Sequence, residues 1–149
     1  MMVNIEAKDF PVDGLEATGE VVKVHVPRGA EWRSYNLFGD QDGSIIVDGA
    51  GDGNAHRYGD GDGDAWRDGD GVGDAYRDGY GYGSAMKWGG GAGSAIRNGA
   101  GNGNAYRDGD GVGNAYRGGD GNGSAYRWGY GYGSAWCKGE VATLEDEDE

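Results

Sequence analysis

"GNAYRDGDGVGNAYRGGDGNGSAYRWG", residues 103–129, spells nearly the same phrase three times at ten-residue intervals. Outward from it, the same spelling runs without a gap from Gly51 as GDGNAHRYGD, GDGDAWRDGD, GVGDAYRDGY, GYGSAMKWGG, GAGSAIRNGA, GNGNAYRDGD, GVGNAYRGGD, GNGSAYRWGY and GYGSAWCKGE. Columns one, three and nine are Gly in every unit, column four is Asn, Asp or Ser, and column five is Ala. Column six is aromatic or large and apolar except at His56, and column seven is Arg or Lys until Cys137. Columns two, eight and ten vary. Residues 41–50, "QDGSIIVDGA", read as a degenerate further unit, and "GYGYGSA" recurs at 79–85 and 129–135.

A fixed short period means repeats that pack on their neighbours. Glycine at three positions in ten excludes a helix, at roughly 1 kcal/mol each. A short strand, A-Y-R, between glycine-rich turns remains. Asn, Asp and Ser in column four suit a turn because their side chains bond backbone two residues on. Stacked strands place like residues above one another at about 4.8 Å. That gives an aromatic ladder in column six and an arginine ladder in column seven, with the aspartates of columns eight, ten and two placed to offset the repulsion. Two decapeptides are expected per coil, with column six pointing inward from both strands.

Before the repeats, "EVVKVHV", 20–26, alternates and is rich in valine, and "EWRSYNLF", 31–38, reads as a second strand. The expected organisation is a small β cap over 1–40, a decapeptide-repeat solenoid over 41–139, and an acidic, disordered tail over 140–149. The fold class is all-β: a short right-handed β-solenoid.

The 149 residues allow one domain with a modest core. Thirty-five glycines would usually signal disorder, but 5 Trp, 10 Tyr and only 2 Pro argue for a packed chain. No apolar run reaches membrane-spanning length, and "MMVNIEAKDF" does not read as a secretory signal. One cysteine, Cys137, leaves no internal disulfide and fits a reducing interior. Of the net charge of −13, the first fifty residues carry −5, residues 51–139 carry −2 and residues 140–149 carry −6. Bulk charge therefore excludes direct nucleic-acid binding and permits a basic protein surface.

Residues that could carry chemistry are few. His25 and His56 lack a second ligand at metal spacing, and Cys137 has no base placed beside it by sequence. Every acid in the body belongs to a column, whereas catalysis needs singular residues, so no enzyme and no cofactor are expected.

The glycine-aspartate turns, as in "GDGDAWRD", 61–68, resemble the calcium-binding nonapeptide repeats of secreted bacterial toxins, which form β-rolls. Here the period is ten, and column four is Ser at Ser84, Ser94, Ser124 and Ser134. A repeated calcium site needs carboxylates throughout, so no calcium requirement is expected. The decapeptide G-x-G-[NDS]-A-[YW]-R-x-G-x, over 51–139, resembles glycine-rich repeat proteins encoded in tailed-phage genomes. That resemblance implies a phage or prophage origin. Small acidic non-enzymatic phage products are often inhibitors of host defence, so it also implies an anti-CRISPR or anti-restriction protein that works by DNA mimicry in the host cytoplasm. A structural or adhesive module, such as a virion tip or surface-binding fibre, is one alternative, and a calcium-binding repeat is another. The expected partner is a basic or DNA-binding protein surface met by a monomer, with no membrane. The expected contacts are Asp60, Asp62, Asp68, Asp70, Asp78, Asp108, Asp110 and Asp120.

Overall fold

Strands alternate their side chains between two faces, so columns five and seven must share one face and columns four, six and eight the other. In the computed structural model, which describes residues 2–109, 111–118, 123–129, 133–137 and 142–144, the first pair faces inward. The strands are β1 (Met2–Glu6), β2 (Leu15–Glu16), β3 (Val21–His25), β4 (Ser34–Phe38), β5 (Ser44–Asp48), β6 (Asn54–Tyr58), β7 (Ala65–Asp68) and β8 (Ala75–Asp78). They continue as β9 (Ala85–Trp88), β10 (Ala95–Arg97), β11 (Ala105–Asp108), β12 (Ala115–Arg117), β13 (Ala125–Arg127), β14 (Ala135–Cys137) and β15 (Ala142–Leu144). Odd-numbered strands form one sheet, in the order β1-β3-β5-β7-β9-β11-β13-β15; even-numbered strands form the other.

Every pairing is parallel, and in the repeats each residue lies against the one twenty positions away: Ala55 on Ala75, Ala75 on Ala95, Ala65 on Ala85. Two decapeptides thus make one coil of a β-solenoid, as expected. Among the described residues the helical content is a single 3-10 turn, Ala7–Asp9. The strands of residues 1–40 are not set apart as a cap. β1 and β3 continue the odd sheet, and β2 and β4 continue the even one. β15 pairs with β13 and so carries the odd sheet into the segment expected as a tail, while 145–149 lie outside the described residues.

The inward columns correct the expected core. Ala55, Ala65, Ala75, Ala85, Ala95 and Ala105 are fully buried, and so are Arg57, Arg67, Arg77, Lys87 and Arg97. Column six lies outside: Trp66, Tyr76, Tyr106 and Tyr126 are half-buried, and Tyr116 is 41% exposed. Hydrophobicity alone favours the aromatics as core, but invariant alanine decides the matter. Where column seven is aliphatic, column five is large: Val22 with Val24, Tyr35 with Leu37, Ile45 with Val47. Where column seven is Arg, column five shrinks to Ala, and the interior volume stays filled.

A buried cation needs a full set of acceptors. Arg57 has one. Its Nε donates to the Gly43 carbonyl at 2.7 Å, Nη2 to Gln41 at 2.8 Å, and Nη1 to Tyr58 at 2.6 Å and Gly39 at 3.3 Å. Arg77 and Arg97 repeat this on the column-nine, column-one and column-three carbonyls of the preceding coil. Each guanidinium therefore clamps the turn beneath it, using the planar fork that lysine lacks. The acceptors are carbonyls rather than the expected aspartates. Asp42, Asp62 and Asp40 act on Arg57 only through their field, which opposes the lowering of its pKa by burial.

The turns close around the same contacts. Gly59 has φ +122, a region that favours glycine. A methyl group on Gly63 would overlap the Gly43 carbonyl oxygen directly below. Column four does not bond backbone two residues on. Its oxygen receives the amide of column four in the next coil: Asn54 from Asp74, Asp64 from Ser84, Asp74 from Ser94, each at 2.8 Å. Asn, Asp and Ser interchange there because the position requires one acceptor and nothing more.

Candidate binding surfaces

With columns five and seven inside, the solenoid presents two sheet faces and two rows of turns. The turns that follow even-numbered strands carry Asp40, Asp42, Asp60 and Asp62 on two stacked coils, all exposed. Tyr80 and Tyr82, also well exposed, extend that row. Asp70, also exposed, lies on the opposite row of turns, with Asp52, Val72 and Val112. Asp68 and Asp108 sit on the outer face of the odd sheet, and Asp78 on that of the even sheet, all half-buried. Of the eight aspartates singled out by sequence, then, Asp60 and Asp62 share a turn row, Asp68 and Asp108 share a face, and Asp70 and Asp78 are each elsewhere. Asp110 and Asp120 lie outside the described residues.

Several of these carboxylates also hold the coils together. Asp42 receives the Asp62 amide at 3.0 Å, Asp62 the Tyr82 amide at 2.9 Å, and Asp70 the Gly90 amide at 3.2 Å. A carboxylate bonded this way keeps lone pairs for solvent or a partner.

The largest consequence is electrostatic. Residues 51–139 contain eleven Asp and nine Lys or Arg, a balance that reads as near-neutral. Eight of those nine cations, Arg57, Arg67, Arg77, Lys87, Arg97, Arg107, Arg117 and Arg127, are buried. The outside of the repeats is therefore acidic. Within residues 40–78 there are eleven Asp, and the only Lys or Arg are the buried Arg57, Arg67 and Arg77.

The buried cations feel one another. Burial first, then neighbouring arginines, lowers Arg77 and Arg97 to about 10, which leaves both charged at neutral pH. Lys87 is the weak member. Its ammonium donates to the Trp88 carbonyl at 3.1 Å, and burial, followed by Arg107 and Arg67, lowers it to about 7.

Both faces carry aromatic groups. On the odd face Trp66 and Trp88 lie 4.9 Å apart, and Tyr106 stacks on Tyr126 at 4.9 Å with Trp128 beside them. On the even face His56 contacts Tyr58 and Tyr76, and Tyr116 stacks on Trp136 at 4.6 Å. Sequence reasoning missed these faces because it assigned column six to the core and so left the column-eight aromatics without their neighbours.

Among the described residues, no group of three or more His, Cys, Asp or Glu could hold a metal ion, and no helix is long and apolar enough to cross a membrane. No family model, curated protein or solved structure matches the chain.

Proposed function

We propose that this protein is a non-catalytic binding protein whose acidic exterior docks on a basic, nucleic-acid-handling surface. The observation that carries this reading is the radial sorting of charge: eight cations of the repeats inside, and every described aspartate of the repeats outside. Residues 40–78 span about two coils, or about 10 Å of axis, and bear eleven carboxylates. Duplex DNA carries about one charge per 1.7 Å, so about six over the same length. Counting the three buried arginines, the net over these two coils is eight negative charges, which still equals or exceeds a duplex in charge per length and supports imitation of DNA. Together with the resemblance to tailed-phage repeats, this favours an inhibitor of a host defence complex of the CRISPR or restriction type.

The test is competition. A partner recovered from host lysate should be displaced by duplex DNA, and its affinity should fall steeply with salt, since released counterions drive such binding. Binding indifferent to both salt and DNA would overturn the reading. That result would favour an adhesive or structural virion module, a second reading supported by the exposed Trp88, Tyr116, Trp128 and Trp136.

A further inference from the structure

Column eight of the odd sheet reads Asp48, Asp68, Trp88, Asp108, Trp128 along the solenoid axis. Asp48 pairs in register with Asp68, and Trp88 with Asp108. Carboxylate and indole thus alternate on one outward row from Asp68 onward. Beside it, column six contributes Trp66, Tyr106 and Tyr126. The start of this face already holds a cation: Lys23, whose column faces outward in β3, meets Asp48 at 3.2 Å. Further along, neither Asp68 nor Asp108 has an ion-pair partner among the described residues.

Aromatic faces attract cations, carboxylates bind guanidinium through paired hydrogen bonds, and arginine uses both better than lysine. We propose that the odd face of the solenoid is a docking strip for an extended, arginine-bearing peptide segment of the partner. This deepens the proposed function and rests on it, since it assigns the acidic docking to one face. Asp68 and Asp108 are two coils apart, about 10 Å at the usual rung spacing. A segment in the polyproline II conformation advances about 9 Å per turn of three residues. Arginines at every third position therefore fall on one side of the segment and reach successive carboxylates, with their guanidinium planes against Trp88 and Trp128.

The probe is a synthetic proline- and serine-based peptide with arginine at every third position, titrated by calorimetry against the full chain. Its lysine counterpart serves as the comparison. The arginine peptide should bind tighter than the lysine one. The pair Asp68→Asn and Asp108→Asn should weaken it about tenfold, the loss of one or two charge-assisted contacts. Trp88→Ala with Trp128→Ala, checked for retained strand signal by circular dichroism, should remove the preference for arginine. Asp60→Asn with Asp62→Asn, an equal charge change on a turn row, should have far less effect. Equal weakening by the face and turn pairs, or equal affinity for both peptides, would overturn the strip while leaving an acidic docking exterior standing. No binding of the arginine peptide also overturns the strip, and the salt dependence of the captured partner then judges the proposed function separately.

Discussion

A guanidinium and a methyl group, two positions apart, set the interior of this solenoid. Arg97 is fully buried with its bonds on main-chain carbonyls, whereas Tyr116 on the outer face is 41% exposed. Arg97→Ala removes a charged donor fork and leaves buried carbonyls unmet, which should cost about 3 kcal/mol or more. Tyr116→Ala loses one stacking partner and should cost about 1 kcal/mol. Urea unfolding midpoints compare the two, and a larger loss at Tyr116 would contradict the assignment. Lys87 gives a second prediction. Its folded value of about 7 lies below the ordinary lysine value of 10.5, so between them the unfolded chain binds the extra proton. Stability should therefore rise as pH goes from 7 to 10.5 and flatten above. Lys87→Arg should raise the midpoint by restoring the carbonyl clamp, and should abolish that slope. His56, lowered by burial, adds a loss of stability as pH falls below 6.5.

At the scale of the coil, strand and turn are one unit, because each arginine reaches the turn one coil back. Gly63→Ala places a methyl group into the Gly43 carbonyl and should unfold the stack locally or wholly. Gly90→Ala meets open space, with only the Asp70 carboxylate at 3.6 Å, and should stay within about 0.5 kcal/mol of the parent. One oxygen of column four, whether from Asn, Asp or Ser, already joins each turn to the amide of the next coil, so a chelator should leave the thermal midpoint unchanged. A large drop would show that calcium supports the turns. The ten-residue spelling made the coil and its stacking legible, and the reading of 20–26 and 31–38 as strands found those at 21–25 and 34–38. The inward face was not legible, because a buried arginine stack contradicts ordinary hydrophobic ranking. The signal was nonetheless in the sequence. Column five is Ala in every repeat but Ile45 and Tyr35 before them, a volume exchange that points to a large inward neighbour at column seven. The aspartate columns were legible as outward, but their division among two faces and two turn rows needed the strand bounds.

For the molecule as a whole, composition understated the charge that a partner meets. A balanced count over 51–139 conceals an interior of cations and, among the described residues, an exterior of aspartates, densest over 40–78. From Gly79 to Gly139 only Asp108, Asp110 and Asp120 remain as acids, while Trp88, Tyr116, Trp128 and Trp136 are exposed. The molecule is therefore graded along its axis from acidic to aromatic, and Trp66, Asp68 and Trp88 lie where the two meet on the odd face. All of this rests on where the arginines are. Reaction of the native protein with an arginine-specific dicarbonyl, read residue by residue by mass spectrometry, measures that directly. The account predicts prompt modification of exposed Arg28 and protection of Arg57, Arg67, Arg77, Arg97 and Arg107 until the chain is denatured. Modification of the column-seven arginines in the native state as fast as Arg28 would contradict it.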